Sequence, residues 1–194
     1  LINNIPVRAL RVNYVGELGW ELHHPMNQME LLYNSIYEAG KRENIVNFGT
    51  YAVNSLRMEK AYRGWGSELT GEISLVEAGM NRFFNLENKN NFIGAKALQE
   101  KVQSGVDIKI VYLEVDADDA DARGNEPVYY NNKVVGVVTS GAFGFRTKKS
   151  LAFAYIKADM AEASNLEIEI QGVKRKAKIL YKVVYDSENK KLMA

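Results

Sequence analysis

Beyond Gly105 the chain is punctuated by short runs rich in Val, Ile and Tyr, at 108–115, 127–130, 133–139, 151–156, 166–171 and 173–184. Runs of that length, bounded by turn residues, favour strands over helices. Asn131-Asn132 lies between YY and KVV, and Gln171-Gly172 between IEI and VKRK, both with hairpin-turn chemistry. Six such runs in about 80 residues predict a small β-barrel or sandwich.

The residues before Gly105 have a different texture. Residues 7–14 and 20–24 read as two strands around the Gly-bounded turn Gly16-Glu17-Leu18-Gly19. Asn27 is placed to cap a helix through about Ala39, with Met29, Leu32, Tyr33 and Ile36 on one face and Gly40 past its end. A second helix is expected at about 50–61, carrying Ala52, Val53, Leu56 and Met58. The stretch 62–72, with three Gly and no helical period, reads as a loop. A short helix then a strand are expected over 74–86, and a helix over 93–104. The fold class is therefore α+β, with a boundary near 104–107 that divides the chain into 1–104 and 105–194.

Composition excludes several functions. With 25 Lys+Arg against 24 Asp+Glu, the formal charge is +1, without the basic excess a nucleic-acid binder wants. The absence of Cys removes disulfides, thiolate metal sites and a Cys nucleophile. No apolar run is long enough for a membrane helix. His23 and His24, the two histidines, are adjacent and would point to opposite faces of a strand, so no metal site is expected. Phosphate-loop, dinucleotide and GxSxG motifs are missing. The basic run Lys174-Arg175-Lys176-Ala177-Lys178 alternates within a strand and reads as a solvated sheet face. Residue 1 is Leu, and no targeting segment follows it; the chain reads as a piece of a longer polypeptide or as a trimmed one.

Two places offer binding chemistry. If Glu17-Leu18 centre the hairpin turn, Gly16 pairs with Gly19, Val15 with Trp20 and Tyr14 with Glu21. The Tyr14 phenol and the Glu21 carboxylate would then share a face. A carboxylate accepts two parallel N–H bonds, which matches an amidine-like edge such as a pterin presents. The same pattern also fits a hairpin whose Glu21 simply faces solvent. In Tyr62-Arg63-Gly64-Trp65-Gly66, an indole between glycines suits either a cover over a flat ligand or a plug for the core.

The string YVGELGWEL resembles the GYTGE-x-G-x-E segment of the glycine-cleavage T-protein (aminomethyltransferase) superfamily. NSLRMEKAYRGWGSEL, LVEAGM and FIGAKAL follow in the family's order, and GVVTSGAFGFRTKKSLAFAYI is similar to its C-terminal barrel signature. GELGWEL, SLRMEKAYRGWG and the ending YDSENKKLMA resemble the dimethylglycine/sarcosine dehydrogenase branch in particular. T-proteins usually carry an Arg two residues before the Ser of the SLR motif; Val53 stands there in this chain, a departure that favours the dehydrogenase branch.

The resemblance implies that residues 1–104 are the latter part of a folate-binding domain and 105–194 a C-terminal barrel. It implies tetrahydrofolate as ligand, held by Tyr14 and Glu21 and more weakly by Trp65, with capture of a one-carbon unit as 5,10-methylene-tetrahydrofolate. FAD and the N-methylated amine substrate belong to an upstream domain, and the family's acid/base Asp precedes this hairpin, so no catalytic residue is expected in the chain. Arg57 and Glu59 are expected as a structural ion pair or helix anchor, and Lys148 and Lys149 as surface lysines or contacts to an anionic folate tail. The family occurs in bacterial cytoplasm and in mitochondria, the former preferred here. The alternatives are an aminomethyltransferase or other folate-dependent transferase, a docking β-module without ligand, and a relative acting in tRNA or iron–sulfur maintenance.

Overall fold

The computed structural model describes residues 1–86 and 92–194. Two short strands, β1 (Arg8–Leu10) and β2 (Glu21–His23), pair antiparallel and are followed by helices α1 (Met29–Gly40), α2 (Thr50–Glu59) and α3 (Ala95–Ser104). Six strands then close into an antiparallel barrel: β3 (Ile108–Val115), β4 (Pro127–Tyr130), β5 (Lys133–Gly144), β6 (Lys149–Lys157), β7 (Leu166–Ile170) and β8 (Val173–Ile179). Around the barrel the order is β3-β6-β5-β4-β7-β8. The chain is thus α+β with a closed barrel.

Strand β6 explains why SLAFAYI is apolar without alternation. Ala152, Ala154 and Ile156 face the barrel interior with Leu113, Val128, Ile168 and Ile170. Leu151 and Phe153 project from the other face into a second cluster with Met58, Ala61 and Tyr112. Side chains alternate across a strand, so a strand buried on both faces has no polar positions to spare.

Helix α2 supplies the cover for that outer face. Asn54 Nδ2 donates to Gly141 O at 3.1 Å and Ser55 Oγ to Phe143 O at 2.6 Å. The Tyr112 hydroxyl donates to Met58 O at 2.8 Å. The buried face of α2 is largely polar, comprising Ser55, Arg57, Met58 and Glu59, whereas its apolar periodicity selects Ala52, Val53, Leu56 and Met58. Helix against barrel is therefore a hydrogen-bonded and ionic contact around one buried methionine.

Several expected elements differ. The first two strands are shorter, because β1 stops at Leu10. Asn27 lies in a 3₁₀ turn (Met26–Gln28), and α1 begins at Met29 without a side-chain cap. Residues 74–86 form turns and a 3₁₀ turn at Asn81–Phe83 in place of a helix and strand. Lys174, Lys176 and Lys178 are exposed while Ala177 and Ile179 are buried, a solvated face. Among the described residues, no helix is long and apolar enough to cross a membrane.

The Phe153 ring is fully buried 5.2 Å from that of Tyr112, with the Arg63 guanidinium 5.4 Å from its centroid. Phe153→Ala should lower unfolding stability by about 3–5 kcal/mol, measured by urea denaturation.

Candidate functional site

The loop after α2 is organised by a buried carboxylate. Glu68 is fully buried. Its Oε2 accepts from Arg57 Nη1 at 3.0 Å, the Gly64 amide at 2.6 Å and Ser67 Oγ at 3.0 Å. Its Oε1 accepts from Thr139 Oγ1 at 2.6 Å and Ser140 Oγ at 2.5 Å. Consecutive residues of a strand normally point to opposite faces. Here the register of β5 against β6 shifts between Val138 and Ser140, and that bulge lets both hydroxyls reach one carboxylate. Burial pushes Glu68 up, but the Ser140 and Thr139 hydroxyls, the Gly64 amide and the Arg57 charge hold it, on balance, below the ordinary carboxylate range.

The result is a loop with a fixed base and a bare tip. Trp65 is 83% exposed and bridges to Leu69, while Tyr155 donates to Glu68 O at 2.8 Å. A side chain at Gly64 would meet Ser67 Oγ at 2.7 Å and would come within 3.5 Å of the Tyr14 hydroxyl. Tyr14 and the Trp65 loop are thus neighbours. The Tyr14 ring stacks on Tyr62 with centroids 6.0 Å apart and planes at 24°. Burial pushes the Tyr14 phenol up, with the Arg57 charge opposing and Glu68 adding to the rise, so it remains a donor at neutral pH.

Glu21 is placed differently from the hairpin expectation. It pairs with Leu10, and Ala9 pairs with Leu22, so Tyr14 is not its cross-strand partner. The reason lies in Asn13, whose Oδ1 accepts from the Val15 amide at 2.9 Å and the Gly16 amide at 2.7 Å, while its Nδ2 donates to Glu17 O. This side-chain-built turn converts residues 11–20 into a broad loop where a tight two-residue turn was expected. An Asn three residues ahead of a Gly is the signal that could have revealed it. The Glu21 carboxylate is 57% exposed and lies 3.6 Å from His23 Nε2, on the same strand face.

Arg57 and Glu59 are both ion-paired, each to a separate partner: Arg57 to Glu68 at 3.0 Å and Glu59 to Arg146 at 2.6 Å. Residues two apart on a helix do not face each other. Lys149 pairs with Glu114 at 2.6 Å. Lys148 and Lys149 border a cleft of about 1030 Å³ at the barrel mouth, together with Glu114, Asp118 and Lys178. Its charges are of both signs and it includes none of Tyr14, Glu21 or Trp65. A second cleft, about 340 Å³, lies between Arg11, Asn13 and Gly19 of the hairpin loop, Tyr62, and Leu192 and Met193. It too includes none of Tyr14, Glu21 or Trp65, but it is lined by Tyr62, on which Tyr14 stacks, and by Asn13. Among the described residues, no group of three or more His, Asp or Glu is arranged to hold a metal.

Residues 1–88 match the family model of the GCVT N-terminal domain, and residues 109–186 that of the glycine cleavage T-protein C-terminal barrel domain. The chain belongs to the glycine-cleavage T-protein superfamily. It is 45% identical to human mitochondrial dimethylglycine dehydrogenase over 172 residues, 88% of this chain and 20% of that protein. Identity to mouse mitochondrial sarcosine dehydrogenase is 34%, over 96% of this chain and 21% of that protein. An aminomethyltransferase of Geobacillus sp. is 32% identical over 92% of this chain and 49% of its own length. The chain therefore spans about a fifth of the dehydrogenases' length and about half that of the aminomethyltransferase. The fold matches that of aminomethyltransferase T from Bartonella henselae with a TM-score of 0.82, at 24% identity, over 92% of this chain and 50% of that one.

Sequence reasoning missed Glu68 and Arg146, and it named Tyr62 within the candidate loop without its stack on Tyr14. A Thr-Ser pair inside an apolar strand, facing a Gly-rich loop that carries a carboxylate, is the pattern that could have found the first. Glu68→Gln should cost about 3–5 kcal/mol at pH 7, because it leaves Arg57 buried without a counter-charge. Glu68 is held below its unfolded value, so its contribution is fully present above about pH 4.3 and is lost as pH falls through the folded value. The stability gap between wild type and Glu68→Gln, followed by denaturant titration across pH, should narrow below about pH 4.

Proposed function

We propose that this chain is the tetrahydrofolate-binding C-terminal portion of a dimethylglycine/sarcosine dehydrogenase-like flavoenzyme. The observation that carries the reading is the Tyr14–Tyr62 stack beside the Glu68-anchored loop that presents Trp65. Flat aromatic surface and a neutral phenol donor suit a planar ring, and the exposed Glu21 carboxylate is assigned to an amidine-like edge on the family resemblance. Identity of 45% to a dimethylglycine dehydrogenase, against 32% to an aminomethyltransferase, supports the dehydrogenase side, as does Val53.

On this reading Glu21 accepts two parallel N–H groups from the pterin edge and Tyr14 fixes its tilt. Trp65, anchored through Gly64 and Glu68, covers one face. Tetrahydrofolate would supply N5 as the nucleophile for a one-carbon unit and leave as the 5,10-methylene form. What these residues contribute is orientation, a term worth several kcal/mol when reacting groups are held in register. The acid/base group, the flavin and the site for the N-methylated amine are assigned to an upstream part of the polypeptide, so this chain by itself binds without turnover. A bacterial cytoplasmic setting is preferred over the mitochondrial matrix.

Calorimetric titration of the chain with 5-formyl-tetrahydrofolate tests the reading. Saturable binding is expected. Glu21→Ala should weaken it about tenfold or more through loss of a charge-assisted contact, and Tyr14→Phe less. Unchanged affinity in both variants would sink the assignment of these two residues.

A further inference from the structure

Glu59 and Lys60, consecutive at the end of α2, bury opposite charges side by side and send them to different partners. The Glu59 side chain is 0% exposed and takes Arg146 Nε at 2.6 Å, with the Arg146 and Thr147 amides at 2.9 and 2.8 Å. The Lys60 side chain is 1% exposed, donating to Asp186 O and Asn189 Oδ1, each at 2.8 Å, with Asp186 Oδ2 3.6 Å away. One charge thus holds the turn after β5, and the other holds the segment that follows the barrel.

Both anchors carry the hairpin loop. Arg146 reaches past Glu59 to pair with Glu17 through Nη1 and to donate to Val15 O at 3.3 Å through Nη2. Its guanidinium lies 3.6 Å from the centroid of the Tyr185 ring, and the Tyr185 hydroxyl donates to the same Glu17 carboxylate. Gly16, at φ +75°, rides directly on the Lys60 stem: a Cβ there would fall 2.1 Å from Lys60 Cγ. The loop carrying Tyr14 is therefore seated on the barrel turn, the end of α2 and the post-barrel segment, all meeting at Glu17 and Gly16.

We infer that Arg146 and Tyr185 are positioning residues which, through Glu17, set the Tyr14 loop for its ligand, so that the segment 185–189 after the barrel is a working part of the binding site. The inference deepens the folate reading and rests on it for the ligand; the positioning itself can be measured without any ligand. The Val15 and Gly16 amides, both bonded to Asn13 Oδ1, are its natural reporters.

Amide hydrogen exchange on the full chain is the first arm. Arg146→Lys keeps a cation for the buried Glu59 but loses the Nη1 and Nη2 contacts to Glu17 and Val15, so it should speed exchange across residues 14–19 by about tenfold or more while β3 and β6 exchange as in wild type. Tyr185→Phe, which removes one hydroxyl, keeps the test usable if the first variant folds poorly, and should move the same amides by a smaller factor. Loop exchange unchanged in Tyr185→Phe and in folded Arg146→Lys overturns the inference, as does a rise shared equally by the barrel strands.

Affinity for 5-formyl-tetrahydrofolate is the second arm. Arg146→Lys should weaken binding about tenfold in the wild-type background and have little effect once Tyr14→Phe is present, since its influence runs through that loop. An equal loss in both backgrounds overturns the positioning role. A wild-type chain that binds no 5-formyl-tetrahydrofolate removes the folate reading, while the exchange comparison still decides the positioning.

Discussion

A single buried carboxylate ties the Gly-rich loop, helix α2 and the barrel together. Desolvating an isolated carboxylate costs several kcal/mol, and Glu68 offsets that cost with donors from three separate places: Arg57 on α2, Gly64 and Ser67 in its own loop, and Thr139 and Ser140 on β5. Removing any one partner leaves the rest buried around a charge in poorer balance. This makes the loop position a property of the whole assembly. The bulge in β5 exists in the same arrangement, since without it one of the two hydroxyls would face the barrel interior among Val138, Ala152 and Ile156.

The neighbouring Glu59 and Lys60 extend this logic along the end of α2. Met58 fills the apolar contact with Phe153 and Tyr112, and the residues on either side of it in sequence, Arg57 and Glu59, carry the charges outward to Glu68 and Arg146. One turn of helix thereby fixes the Trp65 loop on one side and the Tyr14 loop on the other. Opposite charges in alternation, each matched by a partner from a different element, define one docking of helix on barrel, since sliding would separate several buried pairs at once.

The barrel was legible because its signals are local: apolar runs of strand length and the Asn-Asn and Gln-Gly turns place all six strands, although β5 runs five residues past the expected 139 and β8 stops five short of the expected 184. The resemblance to the T-protein family was legible for another reason, the order of five short motifs. Illegible was what depends on a side chain closing a loop. Asn13 ends β1 at Leu10 and displaces Tyr14 from the partner assigned by simple hairpin counting. The charges of α2 are legible as an ion pair or helix anchor, but their partners are not, because Glu68 and Arg146 lie 11 and 87 positions away. In the segment 74–86, Ser74 and Glu77 satisfy each other's backbone amides, the Ser74 amide to Glu77 Oε2 at 2.7 Å and the Glu77 amide to Ser74 Oγ at 3.4 Å. Those reciprocal bonds open a single helical turn, with the Ala78 amide bonded to Ser74 O, and Gly79 at φ +60° ends it before a helix can extend.

The loop 62–69 inverts the usual placement of residue types, burying Glu68 fully and leaving Trp65 83% exposed. The Tyr14 loop does the same, with Glu59 and Lys60 beneath it and a half-exposed tyrosine above. Exposing a large aromatic forgoes roughly 1.5–3 kcal/mol of burial, and burying charge adds a desolvation cost. A loop that does both is held rigid from below while its apolar surface stays open above. The forgone burial becomes available to whatever covers the ring, and little further ordering is needed because the backbone is already fixed by ionic contacts. Two such loops meet where the Tyr14 hydroxyl approaches Gly64, and their polar supports come from the helix, the barrel and the segment beyond it.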